Sequence, residues 1–182
     1  MIPQSPKITV VVPNFNHGHL IGECIDGLLN QDFTDFKVII IDDNSTDQSV
    51  STIVDKIVGD KRFELISLKT NIGVLAVQNM ALETVNSDYL YLAAADDYIL
   101  PNFFSNLIEI LDSNPEIAFA SKKCLVPTAH ESSTYMSRPI FTPHNFKTIF
   151  SPREASEQLM KTDFRYVTGA SLIRTQKFKS IG

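Results

Sequence analysis

Two adjacent carboxylates, Asp96 and Asp97, follow an apolar run in the stretch LAAADDYILP. At the end of a buried segment, two such charges repel each other by up to a few kcal/mol, so solvent, helix N-terminal amides or a cation must offset the repulsion. Mg²⁺ is a hard cation that proteins hold with one or two carboxylates plus substrate phosphates. The pair therefore predicts a divalent-cation site for a phosphorylated ligand. The alternative is a cap for a helix that begins at Pro101.

Polar or aromatic residues also follow three other apolar runs, in the segments PNFN from Pro13, DDNS from Asp42 and KTNIG from Lys69. Asp43 could accept a hydrogen bond from an N–H group of a planar heterocycle such as a pyrimidine, and Phe15 could lie against the face of that base. Each segment also has a structural alternative. The DDNS segment could cap a helix, Phe15 could belong to the core, and residues 71–73 could form a plain turn.

Strands and helices in alternation must position these groups. The strand candidates are nearly continuous apolar runs, as is typical of a parallel sheet buried on both faces: Lys7–Val12, Phe36–Ile41, Phe63–Leu68 and Tyr89–Ala93. Apolar residues at helical spacing predict helices over Leu20–Leu29 and Val74–Val85, and a third that opens at Ser45 with Gln48 in capping-box spacing. The alternation predicts an α/β fold with an open, mainly parallel sheet flanked by helices and right-handed crossovers.

Further elements follow the fourth strand: a helix from Pro101 with an apolar face over Phe103–Leu111, a strand within Glu116–Ser121, an aperiodic loop over Pro127–Phe150, and a helix from Ser151 to about Lys161. Ser151 and Glu154 have capping-box spacing at the start of the last helix. In an open parallel sheet, ligands bind outside the carboxyl ends of the strands. We therefore expect the four polar segments to meet at one edge of the sheet and form a ligand site there.

Composition narrows the classes of partner. The 182 residues are 43% hydrophobic, carry a net charge of −5 and have a pI near 5.3, which suits one globular domain and gives no basic stripe for nucleic acid. Cys24 and Cys124 lack metal-ligand spacing and predict packing roles in a reducing compartment. The chain shows no signal-peptide pattern and no apolar run long enough to span a bilayer. It is therefore expected to be cytoplasmic, with at most a peripheral association with the inner face of a membrane.

Four motifs in order carry a family resemblance. ITVVVPNFN, FKVIIIDDNSTDQS, NIGVLAVQNMALETVNSDYLYLAAADD and the following proline resemble the motifs of family 2 glycosyltransferases, which have the GT-A fold. The match runs from Ile8 to Pro101, with a looser echo in GASLIRTQKFKSIG. The resemblance implies a nucleotide-sugar donor, usually UDP-linked but sometimes GDP- or dTDP-linked, and a Mn²⁺ or Mg²⁺ ion. It also implies transfer to an acceptor hydroxyl, mostly with inversion, on a saccharide or lipid-linked acceptor in polysaccharide or glycolipid assembly.

The resemblance also assigns residues. Pro13 and Phe15 match the loop around the base, Asp43 matches the carboxylate that reads the base, and Asp96 matches the metal-binding end of the DxD motif, with Asp97 as its acidic neighbour. The full expected set for the donor is Pro13, Asn14, Phe15, Asn16, Asp43, Gly73, Asn79 and Asp96, and the metal ligands are Asp96 and Asp97.

Three departures from the family pattern bear on these expectations. Ala94 stands where the family has the first Asp of DxDD, and Gln78 stands where it commonly has Arg. The family's acidic general base lies beyond a turn that Gly182 begins, so the catalytic base is unknown and His17, His19, His130 and His144 are not favoured for the role. We therefore expect residues 1–182 to be a single, C-terminally truncated GT-A domain. Residues 1–125 would be its nucleotide-sugar-binding half, and 126–182 the start of its acceptor side.

Two other functions stay open. A sugar nucleotidyltransferase would also combine an α/β fold with acidic metal ligands, but it should carry a Gly-rich basic loop after its first strand, and PNFNHGHL has one glycine and no Lys or Arg. A non-catalytic nucleotide-sugar-binding module would be compatible with Ala94 and with a missing base.

Overall fold

The computed structural model describes residues 5–122, 151, 153–154, 157 and 170–180. The helices and strands in this part of the chain are β1 (Ile8–Asn14), α1 (Ile21–Leu29), β2 (Phe36–Asp42), α2 (Ser49–Ile57), β3 (Phe63–Ser67), α3 (Val74–Thr84), β4 (Tyr89–Leu92), α4 (Phe103–Ser113), β5 (Phe119–Ser121), β6 (Ser171–Arg174) and α5 (Thr175–Lys179). Cys124, His130, His144, the loop predicted over 127–150 and the predicted helix end near Lys161 lie outside the described residues.

The strands form one sheet in the order β3-β2-β1-β4-β6-β5. The first strand lies at its centre and pairs in parallel with β2 and β4, while β2 pairs in parallel with β3. The last strand, β6, is antiparallel to both β4 and β5. The predicted open, mainly parallel sheet flanked by helices is therefore confirmed, although the sequence pattern did not mark β6 as a strand.

Both faces of the sheet are covered because the central strands are apolar on both sides. Side chains alternate across a strand, so Val10 and Val12 pack in the cluster with α1, α2 and α4, whereas Val11 packs on the opposite face with Val77 and Ala81 of α3. Cys24 is buried in the first cluster, as predicted. Among the described helices, none has the length and apolar character to cross a membrane.

The predicted start of α2 is wrong. The helix begins at Ser49, with Gln48 at its N-cap position and no side-chain cap bond from that residue. Asp47 serves the helix start instead, because its Oδ1 accepts a hydrogen bond from Ser49 N at 2.9 Å. Ser45 does not cap the helix because its hydroxyl and backbone N–H both bind the carboxylate of Asp42.

The second predicted capping box is confirmed. Ser151 N donates to Glu154 Oε2 at 2.8 Å, and Glu154 N donates to Ser151 Oγ at 3.3 Å. The bond from Ser151 N to the Glu154 carboxylate, followed by the contribution of the Ser151 side chain, holds the pKa of Glu154 below its usual value. The reciprocal arrangement satisfies two N–H groups that a helix start leaves open.

The last predicted helix start also needs correction. The fourth helix, α4, begins at Phe103 rather than at Pro101, and its N-cap residue Asn102 has a left-handed backbone with φ of +61°. Its face is buried as expected, with Phe104, Leu107 and Leu111 fully enclosed.

Candidate functional site

The ends of the parallel strands lie side by side. In the pairing register Asn14 is level with Asp42, and Asp42 with Ser67. Asp43 N donates to Asn14 O and Leu68 N donates to Asp42 O, each at 2.8 Å. The chain leaves β4 at the same edge, where Ala93 N donates to Val11 O at 2.9 Å. The predicted meeting of the four polar segments is therefore confirmed, and we call this side of the sheet the carboxyl edge.

A buried network of Asn14, Asp42 and Ser45 joins the first two strand ends. Asn14 and Asp42 are each 1% exposed. Asp42 Oδ1 accepts from Asn14 Nδ2 at 2.7 Å and from Ser45 Oγ at 2.6 Å, while its Oδ2 accepts from Ser45 N at 3.0 Å. From its sequence context, Asp42 is expected only as a possible helix cap. Its position as the last residue of a strand, where the side chain faces a neighbouring strand end, was the available signal.

Asp43 points its carboxylate at the segment that precedes α3. Its Oδ1 accepts from Ile72 N and its Oδ2 from Gly73 N, both at 2.8 Å. Gly73 has φ of +85°, in the left-handed region that favours glycine. Two N–H groups leave lone pairs on both oxygens of an ionised carboxylate, so Asp43 retains acceptor capacity for one further donor. The side chain predicted to read a base therefore also fixes the β3–α3 loop.

The loop after β1 is held by side chains of the β2–α2 loop. Asn16 has φ of +56°, its N–H donates to Ser45 Oγ at 2.9 Å, and its Oδ1 accepts from Thr46 N at 2.8 Å. Phe15 is 44% exposed, so the alternative that places it in the core is wrong. The fold thus presents an aromatic face to solvent beside the buried Asp43. We call residues 13–16 the base loop.

Gly18 explains how closely the chain approaches α2 just after the base loop. A Cβ atom at this position would lie 2.8 Å from Ser49 N and 2.9 Å from Asp47 Oδ2. Gly18 N donates to the same Asp47 oxygen at 2.8 Å. The Ser49 side chain, followed by the bonds from Gly18 N and Ser49 N, holds the pKa of Asp47 below its usual value.

The acid pair lies on the loop between β4 and α4, which we call the acidic loop, residues 94–100. Asp96 is exposed and Asp97 is half-buried. Burial, and secondarily the charge of Asp96, raise the pKa of Asp97. Neither carboxylate forms an ion pair with a Lys, Arg or His of the described residues. Among the described residues no cation offsets the predicted repulsion, which is thus present.

The capping alternative for the acid pair is excluded by the start of α4. The first N–H groups of that helix, from Phe103 and Phe104, donate to Gln31 Oε1 at 3.1 and 3.3 Å. Gln31 follows α1 and was not identified from the sequence. With the helix start served by Gln31, Asp96 and Asp97 have no capping role.

The acid pair fits a hard divalent cation that takes most of its ligands from substrate phosphates and water rather than from the protein. No group of three or more His, Cys, Asp or Glu side chains that could hold a metal occurs within residues 5–122 and 170–180. Two neighbouring carboxylates are nevertheless the usual protein share of a Mg²⁺ shell that substrate phosphates complete. Charge repulsion in the pair and the raised pKa of Asp97 are the electrostatic conditions that a bound cation relieves.

The remaining predicted site residues are spread more widely. Pro13 is partly buried within β1, and Gly73 is the N-cap residue of α3. Asn79 lies in the middle of α3 and is exposed, and none of its described hydrogen bonds joins it to the base loop or the acidic loop. The first turn of α3 is apolar and open to solvent, with Val74 55% and Leu75 73% exposed.

Comparison with known proteins gives a family and a fold. The sequence profile of glycosyl transferase family 2 matches residues 9–182. An uncharacterized glycosyltransferase of Haemophilus influenzae is 36% identical over 94 residues, which cover 52% of this chain and 38% of that protein.

Two solved structures share the architecture. The structure of Staphylococcus aureus TarS 1-349 in complex with UDP-GlcNAc has a TM-score of 0.68 at 23% identity, over 96% of this chain and 47% of that one. The mannosyltransferase PcManGT from Pyrobaculum calidifontis, in complex with GDP-Man and Mn²⁺, has a TM-score of 0.59 at 23% identity, over 69% of this chain and 37% of that one. The fold is therefore GT-A, and the chain spans less than half the length of each protein named.

Proposed function

Because the chain belongs to glycosyl transferase family 2, we propose that its protein transfers a sugar from a UDP-sugar to an acceptor hydroxyl. The observation that carries this proposal is the carboxyl edge itself. A solvent-facing aromatic ring, a buried carboxylate and an acid pair that has no cationic partner among the described residues all lie on one side of the sheet. The ring and the buried carboxylate suit a nucleotide base, and the acid pair suits the cation that accompanies a diphosphate.

The base end of the donor is assigned to the base loop and Asp43. The Phe15 ring offers a flat apolar face for stacking. Asp43 accepts the N–H of a pyrimidine imide with its remaining lone pairs, and the bonds from Ile72 and Gly73 keep its oxygens in place. Pro13, Asn14, Asn16 and Gly73 act by shaping this pocket. We propose that Asn79, which is exposed on α3, also contacts the donor, at a point beyond the base.

The diphosphate end is assigned to the acidic loop. Asp96 and Asp97 would hold a Mn²⁺ or Mg²⁺ ion together with the phosphate oxygens of the donor. When bound, such an ion stabilises the negative charge that develops on the departing diphosphate. PcManGT, whose structure contains GDP-Man and Mn²⁺, supports a divalent cation in this fold. TarS, whose structure contains UDP-GlcNAc, supports a UDP-linked donor.

The acceptor side is assigned to the rest of the protein. An inverting transfer needs a base that deprotonates the acceptor hydroxyl, and we give that role to no described residue. We propose a saccharide or lipid-linked acceptor in polysaccharide or glycolipid assembly at the cytoplasmic face of a membrane. Residues 1–125 would form the donor half and 126–182 the start of the acceptor side. The family match favours this function over a sugar nucleotidyltransferase.

Calorimetric titration of UDP into the 182-residue chain, with and without Mn²⁺, tests the donor site. We expect Mn²⁺ to raise the UDP affinity at least tenfold, and Asp96→Ala to abolish that enhancement while the metal-free affinity is kept. Asp88→Asn is the matched control, because Asp88 is an exposed carboxylate at the opposite end of β4. The cation assignment fails if Asp96→Ala keeps the full enhancement.

A second titration tests the assignment of Asp43. UDP should bind more tightly than GDP to the original chain. Asp43→Asn removes the charged acceptor but keeps the shape, and should reduce that preference by roughly tenfold because one charge-assisted hydrogen bond to the base is lost. Equal preference in both proteins would remove Asp43 from base recognition without touching the cation assignment.

A further inference from the structure

Gln31 uses its whole hydrogen-bonding capacity at one point of the fold. The side chain is buried, 5% exposed, two residues beyond the end of α1. Its Nε2 donates to Gly27 O and to Leu100 O, both at 3.0 Å, and its Oε1 accepts from the first two N–H groups of α4. An amide group has two donor hydrogens and two acceptor lone pairs. All four are therefore engaged, and three of the partners lie about 70 residues further along the chain.

Those partners flank the sharp turn at the end of the acidic loop. Leu100 is the last residue of the loop, Phe103 is the first of α4, and Asn102 between them has φ of +61°. One planar side chain thus holds the carbonyl of Leu100 before the turn and the N–H groups of Phe103 and Phe104 after it. Without Gln31 the buried N–H groups of Phe103 and Phe104 would lose this acceptor, which is costly in free energy.

The rest of the acidic loop rests on the same side of α1. Cys24 Sγ donates to Ala94 O at 3.4 Å, at the start of the loop. A Cβ atom at Gly27 would lie 3.0 Å from both Ile99 N and Ile99 O, so the helix and the loop backbone are in close contact there. Cys24, Gly27 and Gln31 recur at helical spacing, so they form one strip that supports the loop along its length.

We propose that Gln31 is a positioning residue for the acid pair, and that it sets the location of Asp96 and Asp97 relative to the base loop. This inference rests on the proposed function, because the purpose of the positioning is to place the cation site at the diphosphate of a bound nucleotide. The geometry suits the role, since α1 follows directly from the base loop and ends beneath the acidic loop. The helix α1, with Gln31 beyond its end, therefore connects the base loop with the acidic loop.

Two substitutions separate the functions of the amide. Gln31→Glu keeps the oxygen that accepts from the N–H groups of Phe103 and Phe104 but removes both donor hydrogens, so it releases Leu100 and Gly27. Gln31→Met keeps the length of the side chain and removes all four bonds. Asn114→Asp is the matched control, because Asn114 Nδ2 donates to Ile110 O at 2.7 Å at the other end of α4. It loses one donor to the same helix, far from the acidic loop.

The first measurement is the factor by which Mn²⁺ raises the affinity for UDP, obtained by calorimetry with and without the metal. We expect the factor to fall about tenfold in Gln31→Glu and further in Gln31→Met, with metal-free UDP affinity within about twofold of the original chain. Asn114→Asp should keep the factor. Thermal melts identify the folded fraction, so that the factor is compared for folded protein only. A purely structural role would lower the melting temperature and leave the factor unchanged, which would overturn the proposal.

The second measurement needs no metal. Hydrogen exchange in residues 94–104 should speed up at least tenfold in Gln31→Glu relative to the original chain, and stay unchanged in Asn114→Asp. Unchanged exchange in Gln31→Glu would overturn the proposal by itself. If the original chain shows no Mn²⁺ enhancement but exchange responds to Gln31→Glu, the cation site fails while the control of the loop by Gln31 stands.

Discussion

Charged side chains at the two ends of the sheet have different kinds of partner. At the amino edge, where the parallel strands begin, Lys7 Nζ lies 3.1 Å from Asp112 Oδ2 and 3.8 Å from Asp88 Oδ2. Tyr89 Oη also donates to Asp112, and Arg174 Nη1 donates to Tyr89 Oη at 3.3 Å. At the carboxyl edge the buried acids Asp42 and Asp43 accept bonds only from uncharged donors among the described residues, and the acid pair has no protein cation.

The contrast separates the part that holds the sheet together from the part to which we assign the donor. At the amino edge, Lys7 compensates the charges of Asp88 and Asp112 within the chain. Uncharged donors at the carboxyl edge fix the positions of carboxylates while leaving their negative charge uncompensated, which favours a cation supplied from outside. The predictions that follow change one edge at a time.

The largest expected effect is at the buried network of the carboxyl edge. Asp42→Ala removes the acceptor of three bonds, from Asn14 Nδ2, Ser45 N and Ser45 Oγ, and should lower the free energy of unfolding by about 3–4 kcal/mol, measured by urea titration. Ser45→Ala removes three part-buried hydroxyl bonds but leaves the buried carboxylate in place, and should lower it by about 1–2 kcal/mol. Similar values for the two variants would contradict the central position given to Asp42.

The next effect is at the amino edge. Arg174 Nε donates to Ile117 O at 2.7 Å, and its Nη2 donates to Asn114 O at 3.1 Å and also to Leu111 O. Arg174→Met keeps the aliphatic stem but removes these bonds, so the free energy of unfolding should fall by about 2 kcal/mol. UDP affinity should not change.

Lys177→Met is the control for Arg174→Met, because Lys177 is an exposed cation on the neighbouring α5. It should leave stability within about 0.5 kcal/mol of the original value. A loss of UDP affinity in Arg174→Met at full foldedness would mean that the two edges are not separable.

A smaller pair of effects has opposite signs. The pKa of Asp97 is raised by burial and by Asp96, so the folded state binds its proton more tightly than the unfolded state does. Stability from this group is therefore lost as the pH rises from about 4 through the folded pKa. Asp97→Asn should raise the unfolding free energy of the metal-free protein at pH 7 by less than about 1 kcal/mol, since the group is half exposed to solvent.

Asp112 provides the opposite case. Burial raises its pKa, but the bonds from Tyr89 and Lys7 outweigh burial and hold the pKa of Asp112 below its usual value. Its stabilisation is present above a pH of about 4 and is lost as the pH falls through the folded pKa. Asp112→Asn should therefore destabilise the protein at pH 7 and flatten the acid limb of a pH–stability curve. The same sign for both variants would break the contrast between the edges.

The smallest effect belongs to Asp88. Its side chain is 70% exposed and 3.8 Å from Lys7 Nζ, so Asp88→Asn should change the unfolding free energy by no more than about 0.5 kcal/mol. Urea titrations at low and high salt check this value. A larger, salt-sensitive change would show that the amino edge acts as one charge network rather than through Asp112.

The sequence predicts the sheet well because its signal is local. Continuous apolar runs mark the four parallel strands, and the rule that ligands bind at the carboxyl ends brings together segments that lie up to about 80 residues apart. The reciprocal bonds of Ser151 and Glu154 were predictable for the same reason, since both partners lie within one turn.

The features that were missed depend on partners distant in sequence. Ser45 has the type and spacing of a helix cap, but a buried carboxylate outcompetes the helix for its hydroxyl. Pro101 has the type of a first-turn residue, yet α4 begins at Phe103, where Gln31 Oε1 accepts hydrogen bonds from the first two N–H groups of the helix. Nothing within ten residues of Gln31 indicates this partner. The cation ligands, the base contacts and the catalytic base stay predictions.

The central position of β1 has a consequence for the order of assembly. Its first residue pairs with Phe36 on one side and with Tyr89 on the other, so β1, which is synthesised before both neighbours, must wait for the second of them. At roughly 5–20 residues per second, synthesis of the roughly 75 residues between the two strands lasts about 4–15 s. During that time an apolar strand edge in the middle of the future sheet is open. Chaperone binding to nascent chains that end before β4 is therefore expected to be strongest at β1.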